Sequence, residues 1–146
     1  MKDFFAEAAV LLSYPQNLVR LLVRLVLAYG FAKPALMKIN NMKETVQWFE
    51  SISIPFPLLS AYLVSGIELM GIIFLILGLY TRIVSVLLAC VMLGAILFVH
   101  LQYGFSVAGN GFEIPLYYFI FLSFLASYGA GKYSLDRVIF KDGKDE

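Results

Sequence analysis

Four runs of apolar residues, each close to the ~20 residues that an α-helix needs to cross ~30 Å of hydrocarbon, dominate this sequence. They fall at about residues 18–37, 56–80, 83–101 and 114–129. Polar and turn-forming segments separate them. A backbone in hydrocarbon must satisfy all its own hydrogen bonds, so such runs fold as helices. Of the 146 residues, 61% are apolar and 14% are charged, against roughly half and a quarter in soluble domains. The expected fold is all-α: an integral membrane four-helix bundle, antiparallel and up-down, with both termini cytoplasmic.

The connections set the order of helices in space. The turn at Tyr80, Thr81 and Arg82 is so short that the second and third helices must be antiparallel neighbours. The longest connection, residues 38–55, reads as a loop holding Trp48 and Phe49, and the Pro55-Phe56-Pro57 stretch marks entry to the second helix. The third, residues 102–113, is rich in Gly and Asn and reads as a turn-forming loop. Residues 1–17 form an N-terminal amphipathic segment, with Phe4, Phe5, Ala8, Leu11 and Leu12 toward one side and Pro15 as a break. Asp3 and Glu7 stand where a cleaved leader would be basic. Residues 18–136 form the transmembrane domain, and residues 137–146 a charged cytoplasmic tail.

Lys and Arg give the orientation. With both ends on one side, that side collects Lys2, Arg20, Arg24, Arg82, Lys132, Arg137, Lys141 and Lys144, and the other only Lys33, Lys38 and Lys43. The richer side is expected in the cytoplasm, with the chain crossing the membrane several times.

Charges within the spans cost a few kcal/mol at bilayer depth and usually face a partner. At 1.5 Å per residue, Lys33 lies roughly 22 Å from the cytoplasmic end of the first helix and Glu68 roughly 18 Å from that of the second. Similar depth on consecutive helices suggests that they meet. His100 ends the third helix and Glu113 begins the fourth, both near the outer surface. These four define an expected ligand-binding pocket in the outer half of the bundle, with Tyr29, Tyr62, Tyr103 and Tyr117 as supporting hydrogen-bond donors. A carboxylate at that depth keeps its charge only while paired, so such a site can move protons. The plainer account is a Lys33–Glu68 pin that fixes helix register. Arg20 and Arg24, one turn apart near the cytoplasmic end, read as cations snorkelling to lipid headgroups. Cys90 reads as an inert packing residue.

The residues also exclude chemistries. One cysteine, Cys90, cannot form an internal disulfide, and one histidine, His100, cannot supply a bis-histidine haem or a three-histidine zinc site. No metal site is expected. A net charge of +1, with no basic block, P-loop or dinucleotide fingerprint, argues against nucleic acid as a partner. Redox chemistry here needs a bound organic carrier or a partner's cofactor.

The charged and glycine positions resemble those of the DoxX family of small bacterial membrane proteins. Arg20, Gly30 and Lys33 look like its first motif. Gly66, Glu68 and Gly71, followed by Leu77, Gly78, Thr81 and Arg82, look like its second. His100, then Asn110 and Glu113, and finally Gly129, Gly131, Ser134 and Asp136 continue the pattern in order. Pro34 directly after Lys33 departs from it. The resemblance covers residues 18–136 and implies a four-helix inner-membrane protein. It implies function less closely: the family takes its name from a subunit of a thiosulfate:quinone oxidoreductase, and some members associate with oxidative-stress complexes. The fold is also similar to that of vitamin K epoxide reductase-type bundles, whose paired cysteines this chain lacks.

Two readings follow. One is a redox-linked membrane subunit that interacts with a quinone and with an oxidoreductase partner. The other is a non-catalytic subunit that binds a lipid or small amphiphile, or scaffolds assembly, alone or as a homo-oligomer. The residues outline a polar pocket rather than a catalytic set. A transporter is the weakest fit, since four helices without an inverted repeat leave little scope for alternating access.

Overall fold

The computed structural model describes residues 2–141, leaving aside the side chains of Lys2, Asp3 and Phe5. Residues 142–146 of the terminal tail, Lys144 among them, lie outside the described residues. The described residues form helices and connecting loops, without a β-strand: α1 Lys2–Ser13, α2 Gln16–Asn40, α3 Met42–Ser51, α4 Pro57–Leu77, α5 Thr81–Ala95, α6 Glu113–Tyr128 and α7 Leu135–Phe140. Beyond α5 the chain continues as a π-helical turn, Ile96–His100, and a 3-10 turn, Leu101–Tyr103.

Local chemistry sets the boundaries. Pro15 stands between α1 and α2, which bend by 43° relative to one another. Pro57 opens α4, where its missing N–H costs nothing, and Gly78 closes it with φ +66°. Ser134 caps α7, its hydroxyl accepting from the Arg137 N–H.

Packing follows the apolar faces. α5 lies against α6, α2 against α4, and α4 against α5, with a lighter α2–α6 contact. Their shared core is Leu27, Ala28 and Phe31 of α2, Leu75 of α4, Val84, Leu88 and Ala89 of α5, and Leu122 and Leu125 of α6. The outward faces are equally apolar: Leu63, Met70, Ile73, Ile83, Leu87, Leu97, Ile120 and Phe121 are all exposed. A soluble protein does not present a surface of that kind on several helices at once, whereas lipid satisfies it. α4 and the α5 continuation (Thr81–Tyr103) are each long and apolar enough to span a membrane, as is the bent α1–α2 pair if counted as one span. α6 is apolar but has 16 residues.

Several expectations are corrected. The connection 38–55 contains a helix, α3, whose Thr45 and Phe49, one turn apart, face inward. Pro34, the departure from the family-like pattern, sits inside a continuous α2. Arg20 and Arg24 do not snorkel; both are buried, Arg24 completely. Cys90 is exposed on the outward face of α5 rather than packed inside. α7 runs across the expected start of the tail at residue 137.

Gly78 and Gly66 make a contrasting pair. A Cβ at Gly78 would overlap Arg24 Nη1 in a backbone conformation that L side chains avoid, whereas a Cβ at Gly66 meets nothing. Gly78→Ala should lower stability by about 2–4 kcal/mol, and Gly66→Ala should be neutral or slightly stabilising. Thermal unfolding of the detergent-purified variants would measure both.

Candidate functional site

Glu68 lies in the middle of α4 and is 2% exposed. Its carboxylate is held by the Lys38 ammonium, whose Nζ donates to Oε1 at 2.8 Å and to Oε2 at 2.7 Å. Lys38 comes from the last turn of α2 and keeps 19% of its side chain exposed. Helical side chains tilt toward their own N-terminus, so on antiparallel α2 and α4 the two groups lean toward each other. Thr45 of α3 donates its hydroxyl to the Lys38 carbonyl at 3.3 Å, tying α3 to the end of α2. Ser65, one turn before Glu68 on the same face, has a buried hydroxyl with no hydrogen-bond partner among the described residues.

The expected partner of Glu68 was Lys33; Lys38 occupies that role. Helix periodicity explains the difference. The buried residues of α2 are Arg20, Arg24, Leu27, Ala28, Phe31 and Ala35. Continuing that spacing by one step gives Lys38. Lys33 lies nine residues from Arg24, half a turn out of phase at about 100° per residue, and is exposed. Tyr29, one turn earlier on the same outward face, is 85% exposed. Depth alone favoured Lys33, but the interior face selects the lysine.

His100 and Glu113 act elsewhere, and each holds the connecting loop. His100 Nδ1 is 2.8 Å from the Asn110 carbonyl, to which a protonated Nδ1 donates. Glu113 Oε2 accepts from the Val107 N–H at 2.9 Å, and Oε1 accepts from the Tyr117 hydroxyl at 3.0 Å. Gly111 is buried where a Cβ would overlap the backbone of Gly104 and Phe105. This network folds residues 104–111. No contact joins it to Glu68 among the described residues, and Tyr62 and Tyr103 are both exposed.

A second polar centre, missed in the sequence, surrounds Arg24. Its Nη1 donates to the Leu75 carbonyl at 3.3 Å and its Nη2 to the Tyr133 carbonyl. Asp136, buried, accepts the N–H groups of Tyr80 (2.6 Å) and Thr81 (2.8 Å) at the start of α5. The Asp136 N–H in turn donates to the Gly78 carbonyl at 2.9 Å. Nearby, the Asn17 side chain accepts from the Lys132 N–H at 2.9 Å. The segment after α6 is thereby fastened to α2, to the α4–α5 turn and to the start of α5. The recurrence of Gly78, Thr81 and Asp136 among the family-like positions was the available signal. The interacting residues are far apart in sequence, and spacing could not join them.

Comparison with known proteins identifies the family. The DoxX family model matches residues 19–101, and the chain belongs to that family. It is a membrane protein by that membership and by its apolar helices. A Haemophilus influenzae protein described as uncharacterized is 33% identical over 125 residues, covering 83% of each chain. A Bacillus subtilis protein named "Putative oxidoreductase CatD" is 36% identical over 125 residues, covering 86% of this chain and 90% of its own. No solved structure matches.

Breaking a buried ion pair from one side leaves an unpaired charge, at a cost of about 3–5 kcal/mol. Lys38→Met and Glu68→Gln should each destabilise the protein on that scale, and the double substitution should cost less than their sum. Lys33→Met should change stability little. Denaturation of the four variants in one detergent tests the assignment; equal effects at Lys33 and Lys38 would refute it.

Proposed function

We propose that this protein is a redox-linked subunit of the inner membrane. In this reading α2, α4, α5 and α6 cross the bilayer as a four-helix bundle, with both termini in the cytoplasm. The Lys38–Glu68 pair is then the centre of a polar site for a quinone-type carrier. The observation that carries the reading is this buried, doubly hydrogen-bonded ion pair, with an ammonium that is still partly reachable. The name of the Bacillus subtilis relative supports a redox association.

The residues fit a quinone headgroup. An ammonium has three N–H donors, and Glu68 takes two of them. The third is available to a carbonyl oxygen, and the unpartnered Ser65 hydroxyl is a second donor one turn away. A quinone supplies two-electron, two-proton chemistry when bound. Lys38 orients an acceptor oxygen and offsets negative charge developing there. Glu68 holds or accepts a proton beside it, with the Lys38 ammonium as its partner in the resting pair. Buried helix packing on either side keeps bulk water from this exchange.

The outward-facing Tyr29 and Lys33 favour a second reading in part. Polar side chains on an otherwise apolar outer face suit contact with a partner oxidoreductase subunit, a second copy of the chain or lipid headgroups, as in a binding or assembly subunit.

Solvent extraction of the purified protein, wild type beside Glu68→Gln, followed by mass spectrometry, tests the main reading. A stoichiometric quinone in the wild type, depleted in the variant, is the expected result. Phospholipid alone in both would overturn the quinone site and leave the assembly role.

A further inference from the structure

Three buried polar atoms at one level of the interior have no protein partner. They are Arg24 Nε, Thr81 Oγ1 and Ser85 Oγ, each without a hydrogen bond among the described residues. All three residues are fully buried. Their common level follows from helix register. A Cβ on Gly71 would meet the Leu88 side chain at 2.8–3.1 Å, so Gly71 is level with Leu88. Gly78 and Thr81 flank the short turn, so on antiparallel α4 and α5 Leu75 stands level with Val84 and Ser85. The Arg24 guanidinium lies between the Leu75 carbonyl and Gly78. It is therefore beside the turn of α5 that carries Thr81 and Ser85, which are four residues apart and share a face.

A buried polar group left unpaired is costly, and three at one level are not left so when water can reach them. The groups also select the ligand. The guanidinium Nε–H donates only, whereas each hydroxyl both donates and accepts. The Asp136 carboxylate, bonded to the Thr81 N–H at 2.8 Å, places negative charge next to the site and opposes a bound anion. A neutral molecule that accepts from Arg24 and exchanges bonds with two hydroxyls satisfies every group, and water is the smallest such molecule.

We infer that Arg24, Thr81 and Ser85 enclose an internal hydration site that takes one or two water molecules. Above it, toward Glu68, the Gly71–Leu88 contact closes the interior with apolar surface. The site is thus a closed polar cell at the foot of the helices, distinct from the Lys38–Glu68 pair.

The sign of a stability change tests this. In the double variant Thr81→Val, Ser85→Ala, removing two idle hydroxyls should leave the melting temperature unchanged or raise it. Removing hydroxyls that hold water on Arg24 should strand its Nε–H and lower the melting temperature by about 5 °C or more. The lowered value is expected; no change or a rise would overturn the proposal. A fall from misfolding is separated by radiolytic hydroxyl-radical footprinting of the wild-type protein in detergent. Bound water should yield oxidation at peptides containing residues 81–85 despite their burial. An unlabelled segment beside labelled surface peptides would overturn the proposal independently.

Discussion

A guanidinium with no exposure to solvent, carried by a helix that must face lipid on its other side, is the constraint around which this protein is arranged. Arg24 cannot lose its charge and has no exposure to bulk water. Its bonds go to two backbone carbonyls, one near the end of α4 and one beyond α6. Both carbonyls lie where a helix has ended or is ending, which is where such groups lack partners of their own. Gly78 must be glycine to let the guanidinium in, and Asp136 supplies the nearby negative charge while capping α5. The sharp α4–α5 turn, the docked C-terminal helix and the packing of α2 on α4 are consequences of housing one cation.

The helix positions were largely legible. Apolar runs at 56–80 and 114–129 anticipate α4 and α6 to within a few residues, and Pro15 marks the α1–α2 bend. α3 escaped notice because its sequence is no more apolar than a loop; its inward side is only Thr45 and Phe49. Glu68 was identified from its isolation in an apolar run. Its partner was missed because depth was weighed before direction. The spacing of Arg20, Arg24, Leu27, Phe31 and Ala35 already pointed to Lys38, and the same spacing shows that the two arginines face inward. Long-range closure is different in kind. Nothing within residues 16–40 announces that a carbonyl at Tyr133 will meet Arg24.

The polar groups separate into three tasks. Lys38 and Glu68 form a buried pair near the C-terminal end of α2 and the middle of α4. His100, Glu113 and Tyr117 fold the loop between α5 and α6, through an Asn110 carbonyl and a Val107 N–H. Arg24 and Asp136 fasten the opposite end. A single pocket containing Glu68, His100 and Glu113 would need the loop network opened, since His100 is bonded to the Asn110 carbonyl and Glu113 to the Val107 N–H and the Tyr117 hydroxyl. The Glu68 carboxylate, by contrast, is held by a lysine that keeps part of its side chain exposed.

The Arg24–Tyr133 bond spans 109 residues of chain. At about 5–20 residues per second, the ribosome finishes that carbonyl seconds after Arg24 has left the tunnel. Throughout that interval α2 carries a cation that lacks one of its two carbonyls and the nearby Asp136 carboxylate, and hydrocarbon disfavours such a charge. The helix therefore has reason to wait at the membrane surface or inside the insertion machinery, and to settle only when the last segment arrives. A nascent chain cut short before Tyr133 would hold its later helices and still lack one of the two carbonyls that bond Arg24, which makes the C-terminal segment the closing step of assembly rather than an appendage to it.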